Sequence, residues 1–235
     1  MKAKVTAIVL AAGKGSRMNS DVPKQYLTLL GKPVLFYSLQ AFDESKVDNI
    51  ILVTGSKEQE YCKKEIIEKY QIKKVTHIVE GGAERYHSVY HGLLAASGAS
   101  HVLIHDGARP LISASVIDKA IMEVTEKGAC VVGMPVKDTI QLVDEEGRIA
   151  STPARNRTWM AQTPQCFSYE LVSSAYSKAI ESKDRSITDD AMVVRRYAGA
   201  EIVMLEGGYE NMKVTTPEDI AVAECFLKRR QQGEF

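Results

Sequence analysis

A short glycine-containing segment near the start of the chain has the composition of a phosphate-contacting loop. Residues 10–18 read LAAGKGSRM and directly follow an apolar run at residues 5–10. Small residues in such a turn let backbone N–H groups approach phosphate oxygens. Met18 stands where a dinucleotide fingerprint has its third glycine, and the GxxxxGK(S/T) pattern of a P-loop is absent. The segment therefore predicts a tight turn suited to phosphate, but it predicts neither NAD binding nor a standard ATPase site.

Two cations accompany this loop. Arg17 lies within it, and Lys24 follows seven positions later in the segment PKQY, residues 23–26. At ~4 Å and an effective dielectric constant near 20, each pairing with a phosphate charge contributes on the order of 4 kcal/mol before desolvation is subtracted. Arg17 and Lys24 are therefore candidates for binding a polyphosphate. The alternative is that both are solvated surface charges.

Two later segments carry further candidates. Gly81 and Gly82 precede Ser88, so that backbone groups and a hydroxyl could face a base edge. In the segment HDGARP, Asp106 could accept from a sugar hydroxyl or hold a water of Mg²⁺, and Arg109 offers a planar fork for phosphate. The alternative is a local Asp106–Arg109 ion pair. We expect the preceding His105 to be a hydrogen-bonded core residue.

The elements that must position these residues form an alternating pattern. Short Val- and Ile-rich runs alternate with segments of helical period, which predicts β-α-β units and a mostly parallel sheet with helices on both faces. Ligands bind such sheets beyond the carboxyl ends of the strands, where the segments above lie. The predicted strands are 5–10, 49–54, 75–79, 101–105 and 129–136, and the predicted helices are 34–42, 57–70, 85–96 and 113–127.

The pattern changes after residue 136. Residues 138–143 and 147–150 flank an acidic turn, which predicts a projecting β-hairpin arm at about 137–158. An isolated hairpin is marginal in water, so a second copy of the chain is the expected contact. A helix at 168–182, a strand at 201–205 and a helix from 217, capped by Thr216, complete one predicted domain over 1–235.

Composition excludes several classes of protein. The 235 residues carry 30 Lys plus Arg and 30 Asp plus Glu, so no overall cationic field favours nucleic acid or an anionic membrane. The hydrophobic fraction of 45% and charged fraction of 26% are those of a globular chain, and no apolar run reaches the ~18 residues of a membrane span. The spacing of the four cysteines encodes neither a zinc site nor a disulfide framework, and we expect buried or inert thiols in the reducing cytoplasm: Cys62, Cys130, Cys166 and Cys225.

Together, these segments resemble one enzyme family. The chain resembles the 2-C-methyl-D-erythritol 4-phosphate cytidylyltransferases of the non-mevalonate isoprenoid route, over nearly its whole length. The motifs that carry the resemblance occur in order: LAAGxGxRM at 10–18, PKQY at 23–26, GGxxRxxSV at 81–89, HDGARP at 105–110, PVxDTI at 135–140, QTPQxF at 162–167, TDDA at 188–191 and NxKVTxPED at 211–219.

The resemblance implies a Rossmann-like fold and a reaction. Members join the phosphate of methylerythritol phosphate to the α-phosphorus of CTP and release pyrophosphate, with Mg²⁺ present. By resemblance, Arg17 and Lys24 stabilise charge on the triphosphate, and Asp106 is a candidate metal ligand. CTP would be received by Ala11, Ala12, Gly13, Gly15, Gly82, Ala83 and Ser88, and the acceptor by Asp106, Arg109, Thr139, Thr163 and Lys213.

The resemblance also implies a homodimer with shared active sites. Arg155, with Arg157 as the competing choice, would position the acceptor phosphate in the neighbouring subunit. Thr158 and Gln141 depart from the usual residues of the family and bear on acceptor identity. A ribitol-phosphate or other polyol-phosphate cytidylyltransferase is therefore the alternative, and a non-catalytic nucleotide-binding protein is the remote one. We expect Asp189-Asp190 to start a helix capped by Thr188 rather than to bind metal.

Overall fold

The computed structural model of the chain describes residues 3–13, 22–182, 184 and 186–233. Its centre is a seven-stranded sheet in the order β11-β7-β10-β6-β1-β4-β5. The bounds of these strands are β1 Val5–Ala11, β4 Asn49–Thr54, β5 Val75–Glu80, β6 His101–Asp106, β7 Ala129–Pro135, β10 Trp159–Ser168 and β11 Val203–Glu206.

The sheet is mostly parallel, as predicted, with one exception. Strand β10 runs antiparallel between β6 and β7, and the other neighbouring pairs are parallel. No strand was predicted there, because polar residues and Pro164 interrupt the apolar pattern. The pairing of β10 with β7 is irregular between Ala161 and Gln165, which accommodates the proline, since proline cannot donate to a strand ladder.

Helices cover both faces of the sheet. The bounds of the helices are α1 Val34–Glu44, α2 Gln59–Tyr61, α3 Arg85–Ala95, α4 Ala114–Lys127, α5 Tyr169–Ser182, α6 Asp190–Ala198 and α7 Pro217–Gln231. Alternate residues of β1 serve two cores: Val9 packs with α1 and α4, whereas Ile8 packs with α3, α5 and α6. This period of two is what buries both faces of a parallel strand.

Several helix predictions need refinement. The helix predicted at 57–70 is a 3₁₀ turn, Ser56–Glu58, then α2, then a π-helix, Cys62–Glu68. Helix α6 is capped by Asp189, whose carboxylate accepts from Met192 N at 2.8 Å, so the prediction of Thr188 as its cap is wrong. Thr216 is the N-cap of α7, as predicted, and its N–H donates to Asp219 at 2.9 Å.

The predicted hairpin arm is present, with shorter strands than expected. Strands β8, Leu142–Val143, and β9, Ile149–Ser151, pair antiparallel. Asp144 closes the turn by accepting from the N–H groups of Glu146 and Arg148. Apolar side chains on the arm remain exposed in the single chain: Ile140, Leu142, Val143 and Ile149.

A second small hairpin and the last helix complete the fold. Strands β2, Thr28–Leu29, and β3, Lys32–Pro33, pair antiparallel, and Leu29 packs with Leu227 of α7 in a third core. All four cysteines are free thiols; Cys225 is exposed and the other three are buried. Among the described residues, no helix combines the length and apolar composition needed to span a membrane.

Candidate active site

The carboxyl ends of β1, β5 and β6 surround a cavity of about 700 Å³. The residues that line the cavity come from five segments of the chain, within 10–13, 24–25, 82–88, 106–108 and 213–215. Lys24, Asp106 and Lys213 line it. So do six of the seven residues predicted to bind nucleotide: Ala11, Ala12, Gly13, Gly82, Ala83 and Ser88. The other predicted residues of the first loop, Gly15 and Arg17, lie outside the described residues.

Glycines allow the loop after β1 and the loop after β5 to meet. A Cβ on Gly81 would lie 2.4 Å from the Ala12 Cβ, and one on Gly82 would lie 2.3 Å from the His87 Cβ. The Ser88 hydroxyl accepts from Gly82 N at 3.0 Å and donates to the Glu84 carbonyl at 3.3 Å. Ser88 therefore shapes the Gly81-Gly82 turn, and contact of its hydroxyl with a base stays a prediction.

One turn of 3₁₀ helix, Lys24–Tyr26, carries Lys24 to the cavity. The side-chain amide of the next residue, Gln25, donates to the Ala11 carbonyl at 2.6 Å and to the Gly13 carbonyl at 3.0 Å. These two bonds join the turn to the first loop. Lys24 therefore lies beside the loop that has the phosphate-contacting composition.

Three cationic side chains lie close to the carboxylate of Asp106, at the end of β6. Lys213 Nζ lies 2.7 Å from Oδ2, Arg85 Nε lies 3.1 Å from Oδ1, and Arg109 Nε lies 4.0 Å from Oδ2. Burial alone would raise the pKa of Asp106, but Arg85 and Lys213 hold it well below its usual range. Asp106 is therefore ionised, and its pairing with Arg109 is one part of a larger network.

Arg85 lines the cavity, although its residue type and position predicted no role for it. Its guanidinium binds Asp190 through two bonds of 2.8 and 2.9 Å, and the Tyr176 hydroxyl donates to the same carboxylate. Burial lowers the pKa of Arg85, and Asp190 and Asp106 more than offset this, so it stays charged. The only sequence signal for Arg85 was its place in the motif GGxxR. Asp190, predicted to start a helix, is also the buried partner of this arginine.

The cluster as a whole favours anions. The Asp106 cluster carries three positive charges and two negative ones, a net charge of +1: Arg85, Arg109, Lys213, Asp106 and Asp190. Of the other charged residues that line the cavity, Lys24 adds one positive charge and Glu84 one negative charge. Such a partly enclosed cationic edge attracts phosphates more strongly than scattered surface charges would.

A neutral histidine belongs to the hydrogen-bond network around Asp106. His105 is fully buried, and burial lowers its pKa to about 3. The Arg109 carbonyl can only accept, so His105 Nε2, at 3.4 Å, carries the proton, and Nδ1 accepts from the Thr163 hydroxyl at 3.0 Å. The same hydroxyl accepts from Asp106 N at 3.1 Å. The expectation of a hydrogen-bonded core histidine is confirmed, and Thr163, 3% exposed, lies beneath the cavity.

The arm residues do not join the cavity of their own chain. Arg155 donates to the Thr139 hydroxyl at 2.8 Å on the exposed arm, and neither residue lines the cavity. Arg157 is exposed on the same 3₁₀ turn, Arg155–Arg157. Within one chain, these three predicted residues are therefore separate from Lys24, Asp106 and Lys213.

The acidic groups of the cavity make a poor direct metal site. Within the described part of the chain, no three His, Cys, Asp or Glu side chains are grouped as metal ligands. Both oxygens of Asp106 already contact cationic side chains, which would repel a divalent ion. The described residues therefore do not fit direct coordination of Mg²⁺ by Asp106.

The fold and the cationic edge define a class of protein, a nucleotidyltransferase with a Rossmann-like sheet. The family model of IspD, 2-C-methyl-D-erythritol 4-phosphate cytidylyltransferase, matches residues 5–229. The chain belongs to the 2-C-methyl-D-erythritol 4-phosphate cytidylyltransferase family, and it is therefore an enzyme of the cytidylyltransferase type.

Individual relatives agree with this assignment. A 2-C-methyl-D-erythritol 4-phosphate cytidylyltransferase of Lachnoclostridium phytofermentans is 50% identical over 97% of this chain and 98% of its own length. The solved 4-diphosphocytidyl-2C-methyl-D-erythritol synthase of Anaerococcus prevotii matches with a TM-score of 0.85 at 32% identity, covering 97% of both chains. The Thermus thermophilus cytidylyltransferase matches with a TM-score of 0.76 at 27% identity, covering 94% of this chain and 98% of that one.

Removing one half of the buried ion pair should destabilise the fold strongly. We expect Asp190→Ala to lower the free energy of unfolding by about 3–5 kcal/mol, because the Arg85 charge loses its bidentate partner in a buried site. Urea denaturation measures the loss. Glu60→Ala, which breaks the exposed pair with Lys64, is the control and should change stability little. Similar effects of the two variants would contradict the importance of the buried pair.

The neutral state of His105 predicts a pH dependence of stability. Burial lowers the folded pKa to about 3, whereas an unfolded imidazole titrates near ~6.5. The unfolded chain binds this proton more tightly, so stability falls with pH from about 6.5 towards 3, by roughly 1.4 kcal/mol per pH unit from this group. We expect urea denaturation at about pH 7, 6 and 5 to give a shallower loss for His105→Gln than for the wild type. Equal slopes would exclude His105 as the source.

Proposed function

We propose that this enzyme joins CTP and 2-C-methyl-D-erythritol 4-phosphate, giving 4-diphosphocytidyl-2-C-methyl-D-erythritol and pyrophosphate in the non-mevalonate isoprenoid pathway. The observation that carries the proposal is the cavity in which Lys24, Lys213 and the Asp106 cluster face the phosphate-contacting loops, in a chain of this family. Ribitol 5-phosphate and other polyol phosphates are the alternative acceptors, and the family match does not favour them.

The reaction requires one anion to attack another. A phosphate oxygen of the acceptor forms a bond to the α-phosphorus of CTP, and the bond from that phosphorus to the bridging oxygen of the β-phosphate breaks. Pyrophosphate leaves with that electron pair, and no proton transfer or covalent enzyme intermediate is needed for balance. Catalysis is therefore mainly charge neutralisation and in-line positioning.

We assign the CTP side to the loop after β1 and the loop after β5. The backbone at Ala11, Ala12 and Gly13 would receive the triphosphate, and Lys24, with Arg17, would stabilise the charge that gathers on it in the transition state. Gly82, Ala83 and Ser88 would receive the base.

We assign the acceptor side to the Asp106 cluster. Lys213, which lines the cavity, would hold the attacking phosphate, and Asp106 orients its ammonium group before substrate arrives. Arg109 does not line the cavity and donates to the Asn211 carbonyl at 2.8 Å, so its contact with the acceptor stays a prediction. The Thr163 hydroxyl accepts from the main-chain N–H of Asp106, a contact that favours an indirect role for Thr163.

Mg²⁺ supplies charge neutralisation on a triphosphate. Because both Asp106 oxygens are taken by cations, we infer that the ion enters with CTP rather than by direct coordination to Asp106. The protein's own cations and backbone would assist the formation of the new phosphate bond and the departure of pyrophosphate. A cytoplasmic location stays a prediction.

We propose that the arm, residues 137–158, joins two subunits. Its exposed apolar side chains, among them Leu142, Val143 and Ile149, need a covering surface, and a second copy supplies one. Thr139 and Arg155, which already contact each other at 2.8 Å, would then reach the partner's cavity and position the acceptor phosphate there. Arg157 is the competing residue for this role.

The acceptor test is pyrophosphate release with CTP and each phosphate in turn. We expect turnover with 2-C-methyl-D-erythritol 4-phosphate to exceed that with ribitol 5-phosphate. A preference for ribitol 5-phosphate would overturn the acceptor assignment. Lys24→Ala is the control against a contaminating activity, and it should lower kcat more than about tenfold because it removes charge that acts in the transition state.

Shared sites predict complementation between two inactive variants. A Lys24→Ala chain and an Arg155→Ala chain should each be nearly inactive, because each lacks one half of every site. After subunit exchange at equal concentrations, half the dimers are mixed and each has one intact site, so activity should recover to about a quarter of the wild type. Co-purification of differently tagged chains verifies the exchange. Exchange without recovery would mean that each site is built from one chain.

A further inference from the structure

Gln25 is a buried polar residue of the cavity wall that the proposed reaction does not use. It is 4% exposed, and it lies between Lys24 and Tyr26 in the motif PKQY. Its amide nitrogen is 2.6 Å from the Ala11 carbonyl and 3.0 Å from the Gly13 carbonyl. One side chain thus satisfies two carbonyl groups of the loop assigned to the triphosphate.

A second contact reinforces the same attachment. The Tyr26 hydroxyl lies 3.4 Å from the Ala11 carbonyl and 3.4 Å from the buried Cys62 thiol. Tyr26 N donates to the Pro23 carbonyl at 2.9 Å, which closes the turn that carries Lys24. The first loop and this turn are therefore held together by side chains on consecutive residues.

The chemical consequence concerns the sign of the charge that the loop offers. A peptide carbonyl oxygen carries partial negative charge and would repel a triphosphate, whereas a peptide N–H attracts it. The carbonyl oxygens of Ala11 and Gly13 are both occupied by the Gln25 amide. The loop can then accept phosphate oxygens without exposing these two acceptors to them.

We propose that Gln25 is a positioning residue for the nucleotide. Its amide donates to the Ala11 and Gly13 carbonyls and thereby fixes the position of these loop residues relative to Lys24. This inference rests on the proposed function, because it takes the cavity ligand to be CTP. The glutamine amide nitrogen carries two N–H donors, one for each carbonyl. Glutamate has the same shape but, when ionised, lacks the donors and adds a negative charge.

Two variants separate positioning from simple stability. Gln25→Leu removes the donors at every pH, and we expect the CTP dissociation constant of the folded protein, measured by calorimetry, to rise at least about tenfold. The KM for the acceptor should stay within about twofold, since the Asp106 cluster is untouched. A change confined to the melting temperature, with CTP affinity unaltered, would overturn the proposal.

Gln25→Glu adds a pH signature that a structural role would not produce. Its carboxyl can donate one hydrogen bond when protonated and none when ionised. Activity relative to the wild type should therefore fall as pH rises from about 5.5 to about 8.5. Gln231→Glu, on the exposed end of α7, makes the same charge change and should give a flat ratio.

The outcomes distinguish this inference from the proposed function. Wild-type protein that binds CTP but releases no pyrophosphate with either acceptor contradicts the proposed reaction, while the CTP affinities of the variants still decide the role of Gln25. Active wild-type protein with unchanged CTP affinity in Gln25→Leu, and a flat pH ratio in Gln25→Glu, overturns the role of Gln25 alone. Wild-type protein that does not bind CTP overturns both.

Discussion

The Asp106 carboxylate is the interaction on which the candidate active site depends. It lies at the end of the central strand β6 and holds Lys213 and Arg85 at hydrogen-bond distance. These cations would otherwise repel one another across the cavity, at a cost that grows as water is excluded. A carboxylate kept ionised by its neighbours lets positive charge accumulate at this edge of the cavity. The sheet and the described loop residues that line the cavity surround this arrangement.

The support of Asp106 extends through both faces of the sheet. On one side Arg85 binds Asp190 at the start of α6, and Asp190 accepts from Tyr176 of α5, which belongs to the core formed with α3, α5 and α6. From the antiparallel strand β10, the Thr163 hydroxyl bonds the Asp106 main chain and the neutral His105. Strand β10 therefore contributes directly to the site, although it carries none of the cations that line the cavity.

The success of the strand predictions has a local cause. Strands β1, β4 and β6 are continuous apolar runs, because each is buried on both faces, and their predicted bounds agree with the structure to within a residue. Strand β10 escaped prediction because its buried residues include Gln162, Thr163 and Gln165, whose polar groups are satisfied by partners remote in sequence. The same limit applies to Arg85 and Asp190, which are 105 positions apart.

Residue types and their order were sufficient to specify the fold class, the family, and the loops that surround the cavity. They carried this information because strand periodicity, glycine turns and short motifs are properties of neighbouring residues. Pairings across the sheet, the choice of Asp189 rather than Thr188 as the cap of α6, and the convergence of Lys213 and Arg85 on Asp106 depended on three-dimensional packing. A hydrogen bond or ion pair between distant segments forms only where the folded backbone brings its two ends within about 3 Å, and no local pattern encodes that distance.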